Sequence, residues 1–249
     1  FGRDLRRPFA ENEPAAEAAP ADTPAAPPAP SPAAEPSPSP SPTPAPEPAA
    51  ERQLPVVRVN VTGQAFNFTQ PWRKNAPTIR QGLGVVLLDG RILVTAELVA
   101  NHTYVELEKP ETALKAAATV EVVDYDANLA LLAAPAAEFL QSIQGAKLDE
   151  SAAVGDRVEI LQLENNGKPV RTAATITSIE VGLYPVDENA FLVFRLSLPL
   201  QSRENSFTVP AFKDGRLVGL LMRYDPRTQT ADVVPAPVIA QFLKAASNK

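Results

Sequence analysis

The chain contains no cysteine and only one histidine, His102. Without cysteine there is no disulfide and no thiolate metal site, and the usual zinc sites, which draw on several histidine or cysteine side chains, are excluded as well. No apolar run approaches the roughly 20 residues that a membrane-spanning helix needs. We therefore expect neither a metal nor another cofactor, and no membrane contact except through a segment upstream of this chain.

Positive charge is also scarce. The 249 residues carry a formal net charge of −6, and residues 1–52 hold four basic and eight acidic residues, so −4 of that total lies there and −2 remains for the rest. No basic stripe is left to attract nucleic acid, and no basic amphipathic helix suggests a lipid surface. We therefore expect the partner to be a protein or an extended peptide rather than a nucleic acid.

Residues 1–52 are dominated by proline, alanine, serine and glutamate, and hold more than half of the chain's 27 prolines. Such a composition offers almost nothing apolar to bury, so it cannot offset the entropy lost on ordering. We predict a disordered linker with polyproline II character, with a reach on the order of 100 Å. A proline-rich ligand for SH3 or WW domains is the alternative, although no single PxxP motif stands out.

The chain begins at Phe1 rather than at methionine. We expect a signal peptide or a membrane anchor to have preceded the opening FGRDLRRPF. Together with the long linker, this predicts an exported protein of the bacterial periplasm or cell envelope.

The remainder of the chain has the pattern of short β-strands. Val57, Val59 and Val61 alternate with polar residues, which is typical of a half-buried strand. An Asp89-Gly90 turn between two apolar runs predicts a hairpin. Similar runs recur up to residue 234, whereas the only convincing helix covers residues 237–244. These features predict an all-β barrel or sandwich that ends in a helix.

Particular segments resemble the HtrA/Deg-type, trypsin-like serine proteases. The first half contains PVVRVNVTGQAFNFTQPW, QGLGVVLLDGRILVTAELVANHTYVELE and TVEVVDYDANLALLAAP, and the second half contains GRLVG and PAP. The resemblance implies two six-stranded antiparallel β-barrels and a C-terminal helix. It places the first barrel in residues 53–140, and the second barrel with the helix in residues 141–249. The family usually continues into a PDZ domain, which we do not expect here. Trp72 is expected to pack between the barrel and its N-terminal extension.

The same resemblance identifies three positions where the family keeps its catalytic triad. Glu97 stands where a strand would run into the catalytic histidine, and Asn128 stands at the aspartate position. The Gly-Asn-Ser-Gly-Gly-Pro turn of the nucleophile corresponds to the segment Glu204 to Pro210. Ser206 is the nucleophile if the alignment is held at Asn-Ser, and Phe207 if it is held at the proline without a gap.

None of these replacements suits the reaction. A serine hydroxyl needs a base to take its proton, and the aspartate must stabilise the imidazolium that forms. A carboxylate with an ordinary pKa near ~4.3 is a weak base, and the neutral Asn128 cannot stabilise a cation. Bulky residues in place of the glycines are expected to disrupt the oxyanion-binding turn.

We therefore predict a non-catalytic pseudoprotease domain that acts as a tethered binding, scaffolding or regulatory module, with an active HtrA-like protease as one candidate partner. The alternative is a degenerate but active serine endopeptidase that uses Ser206, for which His102 is a remote candidate base. A third hypothesis is a structural protein of the cell envelope, in which the barrels act only as a rigid spacer at the end of the linker and bind no peptide.

Overall fold

The structure is a computed structural model that describes residues 54–134, 137–200 and 207–248. The predicted linker and Ser206 lie outside these residues. The first half forms a closed barrel of six antiparallel strands in the order β1-β2-β3-β6-β5-β4. These strands are β1 (Val56–Gly63), β2 (Thr78–Val86), β3 (Ile92–Val94), β4 (His102–Glu108), β5 (Lys115–Asp124) and β6 (Leu129–Ala133).

The second half repeats this architecture in the order β10-β11-β12-β9-β8-β7. Its strands are β7 (Arg157–Leu163), β8 (Pro169–Leu183), β9 (Ala190–Ser197), β10 (Val209–Lys213), β11 (Arg216–Asp225) and β12 (Thr230–Pro235). Within the described ranges, three helices accompany the strands: α1 (Ala96–Val99), α2 (Ala137–Leu140) and α3 (Ala236–Ala246). The predicted all-β double barrel with a C-terminal helix is confirmed. Among the described residues, no helix is long and apolar enough to span a membrane.

The predicted hairpin of the first barrel is present. Leu87 N donates to the Arg91 carbonyl over 2.8 Å, and Gly90 N donates to the Leu87 carbonyl over 3.0 Å. Gly90 has a φ of 82°, which glycine adopts without steric cost. The Asp89 carboxylate accepts the Arg91 backbone N–H over 3.0 Å. The Asp-Gly pair therefore forms the turn that its sequence predicts.

Each barrel has a core of its own, and a third cluster of buried residues joins them. Alternate valines of β1 point into the first barrel with Leu107 and Leu132. The joining cluster combines Leu93 and Leu129 of the first barrel with Leu220 and Val234 of the second. The α3 residues Ile239 and Phe242 are buried in this same cluster. Because the two barrels share buried apolar surface, they form one packed body with a fixed interface.

Candidate functional site

The three predicted positions come from chain segments far apart in sequence. Glu97 lies in α1, a single turn that follows β3. Its neighbours Ala96, Leu98 and Val99 are buried in the first barrel, and Glu97 is half-buried. Leu98 packs in the first-barrel core, whereas the Glu97 side chain forms a hydrogen bond with Asn128.

Asn128 immediately precedes β6 and is fully buried. Its φ of 52° lies in the left-handed region, which asparagine tolerates better than most residues. Its side chain makes two hydrogen bonds with Glu97. The amide nitrogen Nδ2 donates to Glu97 Oε1 over 2.9 Å, and the Glu97 backbone N–H donates to Oδ1 over 3.1 Å. Because a backbone N–H can only donate, this pattern fixes which end of the amide faces which partner.

The environment of Glu97 changes its acidity. Burial raises the pKa of Glu97 above its ordinary value, while the hydrogen bond from Asn128 and the charges of Arg223 and Arg80 lower it by less. Arg80 belongs to β2, and its guanidinium donates to the carbonyls of Glu97 and Ala100 at the end of α1. Arg223 belongs to β11 of the second barrel, so charges from both barrels act on this carboxyl.

This raised pKa predicts a pH-dependent stability. A carboxyl whose pKa is higher in the folded state stabilises the fold fully below its unfolded value, about 4.5, and that contribution is lost as the pH rises through the folded value. Glu97→Gln removes the titration and keeps an oxygen that can accept from Asn128. We therefore expect the variant to gain stability relative to the wild type as the pH rises through this window. Urea unfolding at a series of pH values measures the difference.

Glu150→Gln is the matched control, because it makes the same change at an exposed position. Its stability difference from the wild type, measured over the same pH series, is the reference for the Glu97→Gln difference. A Glu97→Gln difference that falls as the pH rises would show that the folded protein favours the charged carboxylate.

At the nucleophile position, only Phe207 lies within the described residues. Its carbonyl accepts the Leu83 backbone N–H over 3.2 Å, and it forms a parallel bridge with Gly82 of β2. Its half-buried side chain packs on the first-barrel core. The residue is thus a contact between the barrels, and it carries no hydroxyl group.

Thr208 follows with a φ of 52°, an unusual conformation for a β-branched residue. The sequence argument that such a residue avoids the angles of glycine is therefore wrong at this position. The side chain is buried, and its Oγ1 accepts the Thr95 backbone N–H over 2.8 Å. The two threonine hydroxyls also form a hydrogen bond of 2.9 Å. Thr208 thus links the turn to the residue before α1.

His102 opens β4 and is exposed. Its ring Nδ1 lies 2.9 Å from the Val99 carbonyl, and since a carbonyl only accepts, Nδ1 is the donor. Both side-chain hydrogen bonds of Asn128 go to Glu97 and none goes to this ring.

Sequence reasoning missed the contacts made by Thr95, Thr208, Arg80 and Arg223. Each acts through a partner distant in sequence, and no local pattern marks such a contact. Across the described part of the chain, no group of three or more histidine, aspartate or glutamate residues is placed to hold a metal ion.

No family model matches the chain. Two curated relatives from Arabidopsis thaliana are Protease Do-like 4, mitochondrial, which is 24% identical over 192 residues, and Protease Do-like 2, chloroplastic, which is 24% identical over 193 residues. Each match covers 76% of this chain, but only 37% and 32% of the respective relative. The chain thus spans about a third of the length of these relatives.

Solved structures show the same fold. The active form of the protease Rv3671c from M. tuberculosis matches with a TM-score of 0.62 at 19% identity, covering 78% of this chain and 82% of that one. The HtrA-type protease AlgW, solved with a decapeptide, matches with a TM-score of 0.59 at 12% identity, covering 79% and 66%.

Proposed function

We propose that this member of the HtrA/trypsin-like protease family is a non-catalytic domain that binds an extended segment of another protein. The observation that carries the proposal is the reciprocal pair of hydrogen bonds between Glu97 and Asn128. The Asn128 side chain thus bonds both the carboxylate and the backbone N–H of Glu97, where the resemblance places a base and the group that orients it.

The pair lacks the chemistry of the triad. In the triad, the aspartate accepts a hydrogen bond from the histidine and stabilises its positive charge. Asn128 instead donates its N–H to Glu97, which stabilises the carboxylate and makes it a weaker base. No imidazole joins the pair, because the ring of the chain's one histidine donates to the Val99 carbonyl. Efficient acyl transfer draws on a base that is stabilised in its protonated form, and the Asn128 N–H stabilises the ionised form of Glu97 instead.

The proposal takes an edge of β11, the strand whose Arg223 charge acts on Glu97, as the surface for an extended peptide. The pairing of β11 with β10 ends at Leu221, whereas its pairing with β12 continues to Asp225. In the part of the chain that the structure describes, the β10 side of Met222–Asp225 has no neighbouring strand. A peptide that adds a strand to such an edge is held by main-chain hydrogen bonds and needs no triad.

The first test is proteolysis. The protein is expected to leave unfolded casein intact from pH 5 to pH 9, and Ser206→Ala is expected to behave identically. The reason is that neither Glu97 nor Asn128 can activate a hydroxyl efficiently. Casein fragments that form with the wild type and disappear with Ser206→Ala would refute the proposal.

The second test is binding. The exposed Arg223 lies on the β11 edge, so Arg223→Glu is expected to change the affinity for casein-derived peptides, measured by fluorescence anisotropy on a variant whose circular dichroism shows that it folds. Arg227→Glu makes the same charge change at an exposed position after β11 and serves as the control. Equal effects of both variants would show that the peptide does not use this edge.

An active endopeptidase using Ser206 is the second candidate. It draws support from the raised pKa of Glu97, since a less acidic carboxyl is a better base. Under this alternative, Glu97→Gln would abolish casein cleavage together with Ser206→Ala. Under the binding proposal, neither substitution affects the rate.

A further inference from the structure

The loop between β1 and β2, residues 64–77, exposes three aromatic side chains. We call it the aromatic loop. Phe68 is 92% exposed, Trp72 80% and Phe66 57%. Trp72 was expected to pack between the barrel and its N-terminal extension; the barrel leaves most of its surface uncovered, and the extension lies outside the described residues. Large exposed apolar patches rimmed by polar residues mark sites of interaction.

The backbone of the aromatic loop is tied together by its own hydrogen bonds. Asn67 N donates to the Arg73 carbonyl over 3.3 Å, and Asn75 N donates to the Ala65 carbonyl over 3.0 Å. Within the tip, Asn67 Oδ1 accepts the backbone N–H groups of Thr69 and Gln70 over 3.0 and 3.1 Å. The loop is therefore preorganised, and its polar backbone groups are partly satisfied before any partner arrives.

The charge of this region differs from that of the chain as a whole. From Gln64 to Arg80 there is no acidic residue, whereas Arg73 and Lys74 follow Trp72 directly. Lys74 Nζ lies 5.5 Å from the centre of the Phe66 ring. A chain with a net charge of −6 thus presents positive charge beside its most exposed aromatic side chains.

The apolar surface continues onto the outer face of the first barrel. Thr62 of β1 pairs with Ile79 of β2 on one side and with Tyr104 of β4 on the other. Residues paired in this way point to the same face of a sheet. Ile79 and Tyr104 are both exposed, so they extend the apolar patch at the base of the aromatic loop.

We propose that the aromatic loop binds the surface of an anionic lipid bilayer, with Phe68 and Trp72 entering the interface and Arg73 and Lys74 contacting the head groups. Tryptophan is favoured at head-group depth because one end of the ring is apolar and the other can donate a hydrogen bond. Basic residues next to the surface add an attraction to anionic lipids. The internal hydrogen bonds matter here, because unsatisfied backbone groups enter an apolar phase at a high cost.

These features favour a lipid surface over a second protein. The aromatic side chains stand on a projecting loop, and the adjacent charge is of one sign, which complements a uniformly anionic surface. The proposal uses none of the contacts of the Glu97–Asn128 pair, and it holds whether or not the protein cleaves peptides.

Trp72 is the only tryptophan of the chain, so its emission reports on this loop directly. The full chain is titrated with vesicles of phosphatidylcholine containing a minority of phosphatidylglycerol, and with vesicles of phosphatidylcholine alone. We expect the emission to shift to shorter wavelength with the anionic vesicles and acrylamide to quench it less. Flotation of the protein with the vesicles in a density gradient is a second measure of binding. The proposal would be overturned if anionic vesicles caused no spectral change and the protein did not float with them.

Three variants sharpen the test. Arg73→Gln/Lys74→Gln is expected to weaken binding to anionic vesicles roughly 25-fold, about fivefold for each basic residue. Phe68→Ser is expected to weaken it about tenfold or more, because a large apolar side chain no longer leaves water. Val181→Ser replaces an apolar residue of β8 that is 71% exposed, and it is expected to leave binding unchanged.

Circular dichroism and melting temperature establish that each variant folds before its binding is compared. Equal loss of binding in Phe68→Ser and Val181→Ser would refute the assignment to this loop. The emission of Trp72 could instead shift with rising protein concentration in the absence of vesicles. That result would show that the aromatic loop binds a second copy of the chain rather than a lipid surface.

Discussion

Asn128→Asp is expected to lower the free energy of unfolding by about 3 kcal/mol at pH 7, because it places a second carboxylate against Glu97 at a position that is itself fully buried. The substitution restores the residue that the family resemblance expects, yet it removes the N–H that Glu97 accepts. For a domain of this size the loss corresponds to a fall of about 6–12 °C in melting temperature. Thermal unfolding followed by circular dichroism measures it.

The pH dependence of this variant identifies the cause. Two carboxyl groups that share a site cannot both ionise readily, so one pKa rises strongly and stability is lost as the pH rises through it. The deficit of Asn128→Asp is therefore expected to shrink on acidification. Combining Asn128→Asp with Glu97→Gln is expected to recover most of the stability at pH 7. In this double variant the amide at position 97 can donate a hydrogen bond to the carboxylate at position 128.

Asn189→Asp is the matched control for this prediction. Asn189 Nδ2 donates to Asp126 Oδ1 over 2.6 Å, so the same substitution again faces a carboxylate, but at an exposed position. Solvent screens the repulsion there, and we expect a loss below about 1 kcal/mol. An Asn128→Asp protein as stable as Asn189→Asp would contradict the geometry of the buried pair.

Gly82→Ala is expected to cost about 2–3 kcal/mol, because the space for a side chain is already occupied by the other barrel. A Cβ at Gly82 would lie 2.5 Å from the Phe207 carbonyl oxygen and 3.0 Å from Leu98 Cδ2. The first of these atoms belongs to the backbone and cannot rotate away. Moving it would also lengthen the hydrogen bond from Leu83 N to Phe207. Chemical denaturation in urea gives the change in unfolding free energy.

Gly182→Ala separates the effect of close packing from that of losing a glycine. Gly182 also lies within a strand, but a Cβ there would meet only the side chain of Val193, at 2.9 Å. A side chain can change rotamer, so the loss is expected to be smaller. Equal losses for the two glycines would show that the contact between β2 and Phe207 is loose.

Local patterns in the sequence predict much of the strand content. Alternating valines predict β1, and Asp89-Gly90 predicts the turn before β3. Such a pattern does not predict α1, which is a single turn. It also does not predict the full length of β8, whose pairing register shifts between Ile176 and Ser178. Short helices carry too few residues for a period to appear.

The site itself was accessible only through the resemblance. Glu97 and Asn128 are 31 residues apart, and no period connects them. The hydrogen bond between Thr95 and Thr208 joins residues 113 positions apart, so no local pattern in the sequence predicts this contact. Trp72 was expected to pack because aromatic residues are usually buried, whereas the barrel leaves it largely exposed on a loop closed by its own backbone hydrogen bonds.

The Glu97–Asn128 pair also constrains the order in which such a site can change during evolution. Consider a lineage that starts with histidine and aspartate at these two positions. Replacing histidine by glutamate first creates two facing carboxylates, which is the unstable combination. Replacing aspartate by asparagine first impairs catalysis but leaves a foldable protein. The second route avoids an unstable intermediate, so in such a lineage the loss of activity precedes the loss of the histidine.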